Sequence, residues 1–218
     1  MAMGFPAFTQ QIISSFLVVM LNNSLYKYGG DFAISAHGVV HSLQTLLMMP
    51  IFGLSQGLQP IIGYNFGAKK YTRVKNIFFQ GVLFASVIAI SGYLVVLLLP
   101  NYLASLFTSD IKLLKLSAHA LRIFLAFLPV LGFGIVGANY FQAVGKPRQS
   151  LFLNLSRQIF FFLPALYLLP QRYGLNGIWY VPPFADAMAA ALTAIAIFRE
   201  MKNLKDQQPG HNDGVVEP

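Results

Sequence analysis

Six apolar runs, at residues 6–26, 39–62, 77–99, 120–144, 151–169 and 178–198, set the limits on this fold. Each is close to the ~20 residues a helix needs to cross a ~30 Å hydrocarbon layer. In lipid, every backbone N–H and C=O must find its partner within the protein, so runs of this length predict transmembrane helices rather than isolated strands. The expected fold is therefore all-α, a polytopic membrane protein with six spans. The composition agrees, with 56% of the 218 residues hydrophobic and 10% charged, against about a quarter charged in soluble domains. No Lys or Arg precedes the first run and no small-residue cleavage site follows it, so it is expected to be a span and not a signal peptide.

The formal net charge is +8. In a soluble chain that would point to nucleic acid, but here the basic residues cluster between apolar runs, as topology requires. Lys69, Lys70, Arg73 and Lys75 follow the second run, Lys146 and Arg148 the fourth, and Arg199, Lys202 and Lys205 the sixth. The opposite side has Lys27, Lys112, Lys115 and Arg172, with Arg122 near the outer end of the fourth run. This bias predicts that both termini are cytoplasmic, with the lipid bilayer as the partner and no nucleic acid. Residues 1–202 form one six-helix unit, and the polar stretch 203–218 is expected to be a disordered tail. With no cysteine in the chain, disulfides, thiolate chemistry and Cys-ligated metals are excluded.

The connections are short except at 26–38 and 101–119. "KYGG" in the first reads as a helix C-cap and turn, and "QRYGLNG" between the last two runs as another turn. "FTSDIKLL" in the second reads as a helix start with Ser109 or Asp110 as the N-cap. Gly132, Gly134, Gly137 and Ala138 suit close helix packing.

Polar side chains at membrane depth need a partner or a wet cavity. The second run has the most, with Gln44, Thr45, Ser55, Gln56 and Gln59, alongside Pro50, Pro60, Gly53, Gly57 and Gly63. At 100° per residue Gln56, Gln59 and Gly63 share a face. That pattern fits either a kinked helix buried among its neighbours or one lining a polar cavity, and uncharged glutamine favours the cavity.

Asp186 is the one acid inside a run. It follows Pro182 and Pro183, so it is either a first-turn carboxylate favoured by the helix dipole or a protonatable or cation-binding site. Arg157 is its candidate partner. A straight-helix count puts the two about 9 Å apart in depth, which leaves direct pairing open.

His37 and His41 have a spacing that could hold a metal, but no acid completes a set and no metal site is expected. Asn22-Asn23-Ser24 is a formal glycosylation sequon, relevant only in a secretory pathway. No phosphate-binding loop, dinucleotide fingerprint or catalytic triad pattern is present, so neither an enzyme nor a cofactor is expected.

The stretch "GLSQGLQPIIGYNFGAKKYTRVK", 53–75, closely resembles the signature of the multidrug and toxic compound extrusion (MATE) transporters. The matching residues are Gly53, Gln56, Gly57, Gln59, Pro60, Gly63, Asn65, Gly67 and Ala68. "LNN…YGG" after the first span, "NYFQAVGKPRQSLFLNLSRQ" at 139–158 and "LNGIWYVPPFADAMAA" at 175–190 extend the resemblance over nearly the whole chain to Lys205. Their order is most similar to the Mep-type bacterial branch and to its C-terminal six-helix lobe.

The resemblance implies one lobe of a twelve-helix exporter of small organic cations and drugs in the bacterial cytoplasmic membrane. Such an exporter is driven by antiport of protons or sodium and needs an N-terminal six-helix lobe in the same gene or a second chain. On that footing the chain is expected to be a fragment, inactive alone. Gln56 and Gln59 would line the central cavity, with Gln10 and Asn22 as further candidates, and Asp186 with Arg157 would form a polar network that could serve coupling. Sodium-linked relatives place acids on the first and fourth helices of this lobe. Here those helices carry Gln10, Gln11, Asn22 and Asn139, which argues against that sodium site and leaves the coupling ion open. The alternatives are a half-size, non-transporting scaffold or remnant and a related lipid-linked oligosaccharide flippase. The flippase would call for more cationic residues in the spans than Arg157 and the marginal Arg122.

Overall fold

The computed structural model describes residues 4–206, and the elements it forms there are all helices. In order they are α1 (Gly4–Gly67), α2 (Tyr71–Leu98), α3 (Pro100–Ser105), α4 (Ile111–Phe124), α5 (Leu128–Ala143), α6 (Pro147–Leu155), a π-helical turn (Ser156–Phe162) and α7 (Leu163–Asp206).

With 64 residues, α1 would run about 96 Å if straight, some three times the hydrocarbon layer. It breaks at Gly30 (φ 63°, ψ −160°), and α7 breaks likewise at Gly174 (φ 58°, ψ −136°). A Cβ is strained at such angles, so both breaks fall on glycine. The connection expected over 26–38 is thereby corrected: helix persists on both sides, and the reversal is made at Gly30 alone. Divided at these two breaks, the described residues give six helical stretches, namely the α1 arms 4–29 and 31–67, α2, the α4–α5 pair bent by 53°, the stretch 147–173, and the second α7 arm 175–206. The 120–144 run therefore straddles a bend.

The α1 arm 31–67 carries Pro50 and Pro60 inside a continuous helix, and the one non-helical residue of α1 is Gly30. Proline removes one backbone bond, and neighbouring helices can absorb that loss without a break. Asp110 caps α4, with Oδ1 accepting from the backbone N–H of Lys112 (2.7 Å) and Leu113 (3.2 Å). The last helix reaches Asp206, past the expected boundary at 202. The remainder of the expected tail lies outside the described residues.

Lipid tails are as apolar as leucine, so helix association here depends on close fit rather than on the hydrophobic effect. The centre holds fully buried Trp179, Tyr140, Phe78 and Phe141, with the Phe78 and Tyr140 rings 5.2 Å apart. Glycines let the helices approach: Gly81 faces Leu58, Gly132 faces Ala85 and Ala89, and Gly137 faces Thr193. On the outside, α2 presents Phe79, Leu83, Phe84, Val87, Ile90 and Leu94, a largely apolar face suited to lipid, with exposed Gln80 and Ser91 among them.

Candidate functional site

A cavity of about 490 Å³ lies within the lobe, and polar side chains from several crossings converge on it. The first α1 arm contributes Gln10 and Ser14, and the second contributes His41, Gln44 and Thr45. Asn154, Arg157 and Gln158 come from α6 and the π-helical turn, and Asp186 and Thr193 from α7. Met48, Phe52, Val130 and Leu131 make the apolar part of the wall.

Arg157 Nε donates to Asp186 Oδ1 at 2.6 Å. The Asp186 side chain is 4% exposed and that of Arg157 is 36% exposed. Unpaired, a carboxylate so deeply buried would carry a large desolvation penalty, and the guanidinium offsets it. A straight-helix count leaves this pairing open. The structure makes it, with Arg157 on the widened π-helical turn, a rare geometry that recurs at functional sites. Because the α7 arm begins after Gly174, Asp186 lies about three turns inside the helix. The first-turn explanation for Asp186 is therefore corrected, since the dipole effect fades within the first turn.

Of the four residues expected to line a cavity, Gln56, Gln59, Gln10 and Asn22, only Gln10 reaches this one. Gln59, half-buried, donates through Nε2 to Gln142 Oε1 at 3.0 Å, and Gly63 on the same face approaches the Ala143 carbonyl. Gln56 is exposed on the outer face of the second α1 arm. Asn22 is half-buried in the first arm, away from the cavity lining. Gln44 marks the cavity-facing side of the second arm, and Gln56 lies about 18 Å further along and about 120° round from it. His37 and His41 have ring centroids 6.0 Å apart, and no group of three or more potential metal ligands occurs among the described residues.

Sequence reasoning names Gln44 and Thr45 as polar residues of the second run without placing them at the site. It does not single out Ser14, Asn154, Gln158 or Thr193. These residues share no sequence spacing, because they meet only through the packing of separate crossings. Asn139 donates through Nδ2 to Ser55 Oγ at 2.6 Å and ties α5 to α1. Gly53 and Gly57, four residues apart on the exposed face that carries Gln56, have open space beyond them.

Chemically, the cavity pairs one buried carboxylate with one guanidinium among neutral amides and hydroxyls, lined partly by apolar groups. Such a site can hydrate, accept a proton or cation at the carboxylate, or hold an amphiphilic solute.

A family model described as MatE matches residues 6–168. The multidrug export protein MepA of Staphylococcus aureus is 27% identical over 195 residues, covering 89% of this chain and 43% of MepA. The protein of the same name from Staphylococcus saprophyticus is also 27% identical over 195 residues, with the same coverage. Among solved structures, the MATE multidrug transporter DinF-BH superposes with a TM-score of 0.79 at 35% identity, over 92% of this chain and 45% of that one. An inward-facing multidrug resistance MATE family transporter of the MOP superfamily gives a TM-score of 0.88 at 21% identity, over 94% of this chain and 48% of that one, and shows the shared fold. The chain thus spans about half the length of the relatives it matches. With a family match through most of its length and the helical architecture of one transporter lobe, this chain belongs to the MatE family of membrane proteins.

Proposed function

We propose that the chain forms the C-terminal lobe of a multidrug exporter in the bacterial cytoplasmic membrane, with both termini cytoplasmic. The exporter expels small organic cations and drugs in exchange for protons or sodium ions. It works with a second six-helix lobe, and this lobe alone is inactive. The observation that carries the proposal is the Arg157–Asp186 pair at the wall of a cavity inside a membrane bundle. An intramembrane carboxylate whose partner can be exchanged for a proton or a cation is the simplest coupling element available to an antiporter. Releasing Arg157 would also loosen the contact between the fifth and sixth crossings, which links ion binding to lobe shape.

The second lobe is supported by the exposed face of the second α1 arm. Gly53 and Gly57 leave room for another helix to come close, and Gln56 beside them would line the cleft between lobes. MepA and DinF-BH are both named for multidrug transport, which supports the cargo class.

The test is ethidium accumulation in efflux-deficient cells expressing the chain alone and the chain joined to an N-terminal six-helix lobe. Lower accumulation is expected from the joined protein only. Unchanged accumulation with the joined protein, once its membrane expression is verified, would refute the exporter assignment.

A further inference from the structure

A second concavity, of about 500 Å³, lies on the outside of the bundle between α6 and the end of α7. Along α7 its wall is Leu192, Ile195, Ala196 and Arg199, the i, i+3, i+4, i+7 stripe of a single helix face. The stripe is about 10 Å long and apolar until Arg199. From α6, Phe152 and, one turn earlier, Arg148 face it. Ile195 and Phe152 are more than half exposed, and both arginines are exposed.

The charges at the mouth do not cancel. Glu200, the acid in the groove wall, is held by Lys146 Nζ through both carboxylate oxygens, at 2.6 and 2.7 Å. Among the described residues, neither Arg148 nor Arg199 has an ion-pair partner. The groove is thus an apolar trough running into the bilayer, with two uncompensated guanidinium groups at the basic end of the lobe, where headgroups lie. Arginine forks match phosphate oxygens, and basic recesses between membrane helices take acidic headgroups.

From this arrangement we infer that the groove holds an anionic phospholipid, its phosphate between Arg148 and Arg199 and an acyl chain along Leu192, Ile195 and Phe152. A free soluble anion would use the arginines but gain nothing from the apolar stripe. This inference does not depend on the exporter assignment, since it concerns lipid bound to the lobe whatever the lobe carries.

The test is native mass spectrometry of the full chain from mixed micelles containing equal amounts of phosphatidylglycerol and phosphatidylcholine. Two single-charge attractions give the wild type a preference for phosphatidylglycerol of roughly thirtyfold. The double variant Arg148→Gln/Arg199→Gln should fall to near parity. The charge-conserving Arg148→Lys/Arg199→Lys should keep most of the preference, and Ile195→Trp, which fills the trough, should lose retained lipid with the arginines intact. Equal retention of the two lipids by the wild type, or an unchanged preference in a folded double-Gln variant, would overturn the inference. So would displacement of the lipid by inorganic phosphate at equal concentration, which would show that the apolar trough contributes nothing.

Discussion

Arg157 and Asp186 stand 29 residues apart in the sequence, yet Arg157 Nε lies 2.6 Å from Asp186 Oδ1, the guanidinium one-third exposed to the cavity and the carboxylate buried. This unequal burial makes the two partners unequal in what their loss would do. Arg157→Gln strands a buried carboxylate and should cost about 3 kcal/mol, the low end of the range for an orphaned buried charge. Asp186→Asn leaves a guanidinium already facing the cavity and should cost about 1 kcal/mol. The double variant should be more stable than Arg157→Gln alone. Melting of the detergent-solubilised protein measures the order, and a lower melting point for Asp186→Asn than for Arg157→Gln contradicts it.

Glycine substitutions should separate packing positions from cavity positions. A Cβ on Gly177 would run into the backbone of Leu169 and Pro170, which cannot swing aside, so Gly177→Ala should cost about 3 kcal/mol or more. On Gly137 it would sit 2.5 Å from the Thr193 methyl, at a cost of about 1–3 kcal/mol. On Gly134, which borders the cavity, a Cβ would meet nothing within 4 Å, and Gly134→Ala should shift stability by less than about 0.5 kcal/mol. The comparison requires only the ranking of three melting temperatures.

The Asn139–Ser55 hydrogen bond joins two crossings within the bundle, with Ser55 1% exposed. Bonds of this kind in membrane bundles couple by about 0.6 kcal/mol on average and reach about 1.7. A double-mutant cycle of Ser55→Ala and Asn139→Leu should return a coupling in that range. Zero coupling would mean that the contact does not hold α5 to α1.

Cysteine accessibility should invert the simple order of exposure. The chain contains no cysteine, so each introduced thiol reports alone. Gln44 is half-buried but lines the polar cavity, whereas Leu83 is 61% exposed on the apolar face of α2. In proteoliposomes a thiol at Gln44→Cys can meet water and form the reactive thiolate, and one at Leu83→Cys sits in lipid, where ionisation is suppressed. A water-soluble maleimide should therefore label the first several times faster than the second. Equal rates would indicate a dry cavity.

Gln56 and Gln44 show where sequence and tertiary structure part. Both are amides on one helix, and hydropathy treats them alike, but the cavity wall that runs from Gln44 through Met48 ends at Phe52, one turn before Gln56. Which face meets the cavity depends on what the other crossings pack against. Likewise the two prolines before Asp186 allow a first-turn reading beside the protonatable-site one, whereas the α7 arm runs as helix through Pro182 and Pro183 from its break at Gly174.

The sequence by itself determined the class and the family resemblance and predicted six spans, because lipid imposes a length and a backbone requirement that any apolar run must meet locally. It also marked Arg157, Asp186 and Gln10 as residues at odds with their surroundings. Only the tertiary structure decided that these three share one cavity, that Gln59 bonds to Gln142 while Gln56 faces outward, and that the turns at Gly30 and Gly174 each rest on one residue. The cost of an intramembrane polar group is local and can be read along the chain. The identity of its partner depends on the packing of helices far apart in sequence, which no run of residues encodes alone.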